Sequence, residues 1–210
     1  MRDHLKELVE RYPDLAGCEA DIREAYRLLR EAYCSGHKVL ACGNGGSCAD
    51  SEHIVGELMK GFMSHRPLPE DARAILREAD PVIGEELARN LEGSLRAIAL
   101  TGHDSLSTAY INDRDAKYVY AQQVWGYGDP GDVLIAISTS GNSANVIAAA
   151  VCARARGLKV LLLSGETGGK LLPYADVAVR VPYHTSYEVQ ERHLPVYHAL
   201  CLQLEEELFS

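Results

Sequence analysis

The chain has 210 residues, 47% of them apolar and 24% charged, which is enough to bury one full core and is most simply one domain. Its net charge of −9 argues against nucleic acid or an anionic membrane as the main partner. No run of about 18 apolar residues is present to cross a bilayer. The start, Met1-Arg2-Asp3-His4, lacks the charged-then-apolar plan of a secretory signal. The cysteines at 18, 34, 42, 48, 152 and 201 show no CxxC spacing, so reduced and mostly buried thiols in a cytoplasmic protein are expected.

Taken in order, residues 2–11 and 19–34 read as helices, with Leu5, Leu8 and Val9 on one apolar face and Ile22, Ala25, Leu29 and Ala32 on the other. These helices are expected to cover a sheet face or to pack on another subunit. Val39-Leu40-Ala41-Cys42 is long enough for one buried strand, and Gly43, Asn44, Gly45 and Gly46 break it. Ser47 follows, and the pattern is helical from Ala49. Strand, glycine-rich turn and helix aim backbone N–H groups and a helix N-terminus at an anion, although the same layout often serves only as a tight connection. His53 and Glu57, four apart on that helix, share a face and suit proton transfer or metal binding, or form a solvated surface pair.

Residues 64–94 are rich in charge and contain Pro67, Pro69 and Pro81. They read as a surface excursion too short for its own core, with a helix over 82–91 and a helix or ordered loop over 70–79. The alternating pattern then resumes. Strands are expected at 95–100, 132–137, 158–163 and 177–181. Helices are expected at 105–125 (broken near Asn112-Asp113), 143–156 and 188–208, with a short helix or turn at 168–174. Pro195 predicts a kink in the last helix, or a start closer to it. Strands alternating with helices imply a mainly parallel sheet covered on both faces.

Two further stretches carry chemistry. After the strand at 132–137 come Ser138, Thr139, Ser140, Asn142 and Ser143, more hydroxyl and amide groups than one helix cap requires. With the free N–H groups of a helix start they form a phosphate-type site. Loops leaving the carboxyl ends of parallel strands line the ligand crevice of such sheets, so 43–47 and 138–143 can converge. In the last helix Gln190 and His198, eight apart, share a face to within a modest angle, and His193 lies off it. His53, Glu57, Gln190 and His198 are together candidate ligands of a divalent metal, glutamine being an unusual one.

CGNGGS, HIVGEL, ISTSGNSANVI and QERHLPVYH, in this order, resemble the sugar isomerase (SIS) domain, most closely the phosphoheptose (sedoheptulose-7-phosphate) isomerases, over about residues 20–208. The resemblance implies a single SIS domain, a five-stranded parallel sheet flanked by helices in a flavodoxin- or Rossmann-like three-layer sandwich. It also implies a homotetramer with sites near subunit interfaces. The implied reaction interconverts sedoheptulose 7-phosphate and D-glycero-D-manno-heptose 7-phosphate. By motif, Asn44, Gly45, Gly46, Ser47, Ser138, Thr139, Ser140 and Ser143 would hold the phosphate, and Asn112, Asp113 and Gln190 would contact substrate. His53, Glu57, Gln190 and His198 would hold one zinc per subunit, and Glu57 and His198 would form the acid–base pair, so Glu57 is ligand, base or both.

The chain also departs from that family. The usual Gly-Arg-aromatic is Lys60-Gly61-Phe62, Tyr187 stands where an aspartate is usual, and 64–94 is long. Lys60 is expected to point away from the position of the missing arginine. The alternatives are a non-catalytic SIS protein that binds a sugar phosphate or a replication initiator, and an SIS isomerase of another sugar phosphate. The first lacks the Glu and last His that this chain retains.

Overall fold

The computed structural model describes residues 2–209. Five parallel strands form one sheet in the order β2-β1-β3-β4-β5: β1 Val39–Cys42, β2 Ala97–Ala99, β3 Val133–Ile137, β4 Lys159–Gly165 and β5 Val177–Val181. This is the doubly wound order in which the chain reverses direction between β1 and β3. The two polar loops leave the ends of those two strands.

The strands are apolar on both faces because both are covered. Val39, Ala41, Val133, Ile135, Leu161 and Val179 pack with helices α1 (His4–Arg11), α2 (Glu19–Cys34), α3 (Gly46–Met59) and α9 (Ser186–Leu208). Their neighbours Leu40, Cys42, Leu134, Ala136, Val160 and Leu162 pack on the opposite side with α7 (Val119–Tyr127) and α8 (Ala144–Ala155). The first two helices therefore cover their own sheet face, with Ile22, Ala25 and Leu29 fully buried.

The excursion is a helical hairpin, α4 (Glu70–Ala79) against α5 (Ile83–Asn90), closed at its neck by an antiparallel bridge between Pro67 and Glu92. Both expected helical stretches are present. The expected helix over 105–125 is divided into α6 (Asp104–Asp113), a 3-10 turn at Ala116–Tyr118 and α7. The Asp115 side chain caps that turn by accepting from Lys117 N, which restarts the helix.

Helix α9 begins at Ser186, earlier than 188, and runs through Pro195 as one 23-residue element. Thr185 precedes it and its hydroxyl meets Glu188, a Thr-x-x-Glu start signal present in the sequence. Helix α3 likewise begins three residues before Ala49, so Ser47 lies inside its first turn.

His193 faces the core from α9, fully buried, and neither ring nitrogen has a hydrogen-bond partner among the described residues. Burial pushes its pKa down to about 4 from an ordinary 6.5, with only a small upward pull from the Ser164 backbone. Between these values the unfolded chain binds a proton that the folded chain refuses. Stability is therefore full above the unfolded value, falls as pH drops through this window, and is lost by about 3 kcal/mol at its lower end. Chemical denaturation of wild type and His193→Leu at pH 7 and pH 4.5 should show their stability difference shifting by about 2–3 kcal/mol in favour of the variant at low pH. Parallel pH profiles would contradict this assignment.

Candidate active site

Helices α3 and α9 run side by side in the same direction, because both start at the carboxyl ends of strands. Four contacts mark the pairing: Gly46 with Gln190, Asp50 with Tyr197, His53 with Tyr197, and His53 with His198. The site extends along this pair.

Its first end is the meeting of three helix starts. Gly45 has φ +57°, a conformation suited to glycine, and a Cβ on Gly46 would stand 2.5 Å from the Gln190 amide nitrogen. The two loops are tied by a reciprocal amide pair: Asn44 Nδ2 donates to Asn145 Oδ1 at 2.8 Å, and Asn145 Nδ2 donates to Asn44 Oδ1 at 2.9 Å. Tyr120 holds the first loop by donating to Gly43 O at 2.7 Å. Ser138 Oγ and Ser143 Oγ lie 3.0 Å apart, and Thr139 Oγ1 lies 3.2 Å from Ser186 Oγ. Ser140 is exposed and accepts from Asn142 N at 3.2 Å. Ser47 is 3% exposed at the base of α3. Ser143 caps α8 without a side-chain hydrogen bond, so its hydroxyl is not spent on the helix.

The second end lies about 9 Å further along α3, six residues on from Ser47. His53 Nε2 is 3.2 Å from Glu57 Oε1 and 3.4 Å from His198 Nε2. His53 Nδ1 meets the Tyr197 hydroxyl at 3.1 Å, and that hydroxyl meets Asp50 Oδ1 at 3.2 Å. Burial, and then the facing His53 ring, lower the pKa of His198, with Glu57 pulling the other way. Burial raises that of Asp50, offset in part by the Tyr197 hydrogen bond.

Among the described residues, no group of three or more His, Cys, Asp or Glu side chains is drawn together as a complete metal site. Two pairwise separations, both at His53 Nε2, are of the length that neighbouring donors bound at about 2.0–2.2 Å to one tetrahedral ion keep from each other, about 3.3–3.6 Å. Gln190 is set against Gly46 rather than against these three side chains. Asn112 and Asp113 end α6, exposed and bonded to each other at 2.9 Å, and their helix makes its main contacts with α7 and the adjoining 3-10 turn.

Lys60 is a correction to the sequence reading. The helix ends at Met59, Lys60 is extended (φ −140°, ψ 173°), and its Nζ returns to Glu57 Oε2 at 3.0 Å and to Gly61 O at 3.0 Å. A helical wheel does not apply beyond the helix end. A Cβ on Gly61 would stand 2.3 Å from Ser64 O, and Glu92 Oε2 accepts from Gly61 N at 2.9 Å. The turn at the base of the hairpin therefore leaves no room for an arginine there.

That turn is held by a buried ion pair. Arg66 is fully buried and Glu205 is 2% exposed. Glu205 accepts from Phe62 N, Met63 N and Ser64 N at 2.8, 2.8 and 3.1 Å and from Arg66 Nε at 2.8 Å. Arg66 also donates to Leu58 O at 2.9 Å and Glu57 O at 3.2 Å, closing the end of α3. Burial pulls the Glu205 pKa up, but the Phe62 and Met63 N–H groups and Arg66 outweigh it and hold it below the usual carboxylate range. Phe62, fixed by this clamp, packs on the His198 ring with centroids 5.3 Å apart.

Of the residues that complete the site, Asn145, Ser186, Asp50, Tyr197, Arg66 and Glu205 escaped the sequence reading. Only Ser186 carried a signal, through the Thr185-x-x-Glu188 helix start.

The SIS domain family profile matches residues 3–93 and 93–165. The phosphoheptose isomerase of Akkermansia muciniphila is 31% identical over 210 residues, all of this chain and 97% of that relative. That of Thiobacillus denitrificans is 39% identical over 183 residues, 86% of this chain and 80% of the relative. The solved phosphoheptose isomerase of Neisseria gonorrhoeae superposes with TM-score 0.74 at 31% identity, covering 97% of this chain and 95% of that one.

Replacing Arg66 by Met leaves the Glu205 carboxylate buried without its cation. The substitution should cost about 3–5 kcal/mol in chemical denaturation, and the double replacement Arg66→Met with Glu205→Gln should cost less than the single one. A single variant within 1 kcal/mol of wild type, to order of magnitude, would contradict the clamp. Motifs in order, sheet order, and relatives that align along the whole chain agree: this chain belongs to the phosphoheptose isomerase family of SIS domains.

Proposed function

We propose that the protein is an aldose–ketose isomerase of a seven-carbon sugar phosphate, interconverting sedoheptulose 7-phosphate and D-glycero-D-manno-heptose 7-phosphate. The observation that carries this reading is the layout of the α3–α9 pair. Hydroxyl-rich loops stand at its start, and a carboxylate with two imidazoles stands about two turns in. A phosphate at the first end delivers the reacting carbons to the second.

The isomerisation moves one proton between adjacent carbons and one between their oxygens. Glu57 is the carbon base. Its Oε1 faces His53, and Oε2, reached by the half-exposed Lys60, is the oxygen that turns to substrate. His198 shuttles the proton between the oxygens, since imidazole changes charge near neutrality. Ser138, Thr139, Ser140 and Ser143, with Asn44, Gly45, Gly46 and Ser47, hold the phosphate by hydroxyl and backbone donors. Gln190, beside Gly46 at the first end, orients the sugar chain next to the phosphate.

His53, Glu57 and His198 would hold a zinc ion; Gln190, the fourth ligand expected from the sequence, stands against Gly46 and away from them. Zinc would act as a Lewis acid on the substrate oxygens and stabilise the developing negative charge. Asn112 and Asp113 stand apart from the site of their own protomer, and His53 is exposed. Both features suit the expected homotetramer, with the site completed near a subunit boundary. The six free cysteines suit a cytoplasmic enzyme, and no described helix is long and apolar enough to cross a membrane.

Glu57→Gln keeps shape and removes the base. Turnover of sedoheptulose 7-phosphate should fall by about 10² to 10⁴-fold, while the substrate still raises the melting temperature through the phosphate loops. Turnover near the wild-type rate would remove Glu57 from the base role.

A further inference from the structure

The carboxylate of Asp50 is placed one turn before His53 and does not touch that ring. It touches Tyr197 instead. Its Oδ1 is 3.2 Å from the Tyr197 hydroxyl, and its buried Oδ2 has no partner among the described residues. The Tyr197 hydroxyl lies 3.1 Å from His53 Nδ1, and the Tyr197 residue is 2% exposed. The two rings meet edge-on, with centroids 5.4 Å apart and planes at 73°.

With Asp50 ionised, the tyrosine hydroxyl spends its single proton on that acceptor-only carboxylate. Its oxygen is then left as an acceptor toward His53, and Nδ1 carries a ring proton. In the neutral ring Nε2 is then the bare nitrogen and presents a lone pair; in a ring protonated at both nitrogens it donates to Glu57 instead. That lone pair faces Glu57 Oε1 at 3.2 Å and His198 Nε2 at 3.4 Å. A carboxylate, a bare imidazole nitrogen and a second imidazole nitrogen meet at one place, which is an arrangement that calls for a cation.

We propose that Asp50 and Tyr197 are positioning residues that lock His53 as its Nδ1–H tautomer, with Nε2 held ready for a metal ion. The proposal rests on the reading of His53 as a ligand given above and adds to it two residues outside the ligand set. The tyrosine serves as a spacer: Asp50 on the same helix face cannot reach Nδ1 itself, and α9 supplies both the relay and, at the next position, His198. Groups that orient a ligating histidine typically matter by about 10- to 100-fold in metal affinity or activity.

Tyr197→Phe removes one oxygen and keeps the ring packing. Selective 15N-histidine labelling, with His53 assigned from a His53→Gln sample, reports the tautomer without any metal. Wild type should show His53 protonated at Nδ1, and Tyr197→Phe should move it to a mixture richer in Nε2–H. Zinc affinity from chelator competition should fall about 10- to 100-fold in Tyr197→Phe, with Asp50→Asn in the same direction, and with little change in the apparent KM for substrate. A wild-type protein with the predicted tautomer but no zinc affinity would overturn the metal reading and leave the relay standing. Tyr197→Phe with an unchanged tautomer and unchanged zinc affinity would overturn the relay.

Discussion

The site depends on the buried pair of Arg66 and Glu205. Glu205, on α9, takes three consecutive backbone N–H groups of the turn after α3, and Arg66 takes the last carbonyls of α3 itself. One carboxylate and one guanidinium thus fix where α3 ends, how the chain leaves it, and how far along α9 this happens. Glu57 sits on the last full turn of α3, Lys60 just beyond it, and Phe62 against His198. An isolated buried charge pair is weak evidence of stability because desolvation offsets attraction. Here Glu205 accepts four hydrogen bonds and each nitrogen of the Arg66 guanidinium donates one, so the main effect of the pair is geometric.

The same turn explains two departures from the family pattern as one. Ser64 O stands 2.3 Å from where a Cβ on Gly61 would sit, and Glu92, at the neck of the hairpin, receives the Gly61 N–H. The turn that leads into the hairpin and the bare glycine at 61 therefore go together through backbone geometry. Lys60, extended beyond the helix end, brings a cation to the Glu57 carboxylate from position 60, with Nζ 3.0 Å from Oε2.

The sequence conveyed the periodic parts of this molecule well. The runs Val39–Cys42 and Val133–Ile137 are apolar at every position because both sheet faces are covered, and their loops are punctuated by glycine and hydroxyl residues. His53 and Glu57 were readable because four residues on a helix share a face whatever surrounds them. Contacts between α3 and α9 were not readable. Asp50, Tyr197, Arg66 and Glu205 are ordinary residues on ordinary amphipathic or loop segments, and only the folding of residue 50 against 197, or 66 against 205, gives them a role. Lys60 was misjudged because helix geometry was carried past the helix end, and the start of α9 because the Thr185–Glu188 signal was passed over.

The central claim is a reaction on a seven-carbon sugar phosphate. Nuclear magnetic resonance of sedoheptulose 7-phosphate incubated with the purified, zinc-supplied protein tests it most directly. The account predicts an aldose anomeric signal growing in at the expense of the ketose until a fixed ratio is reached. Unchanged sedoheptulose 7-phosphate, in a preparation that isomerises a pentose or amino sugar phosphate, would contradict it.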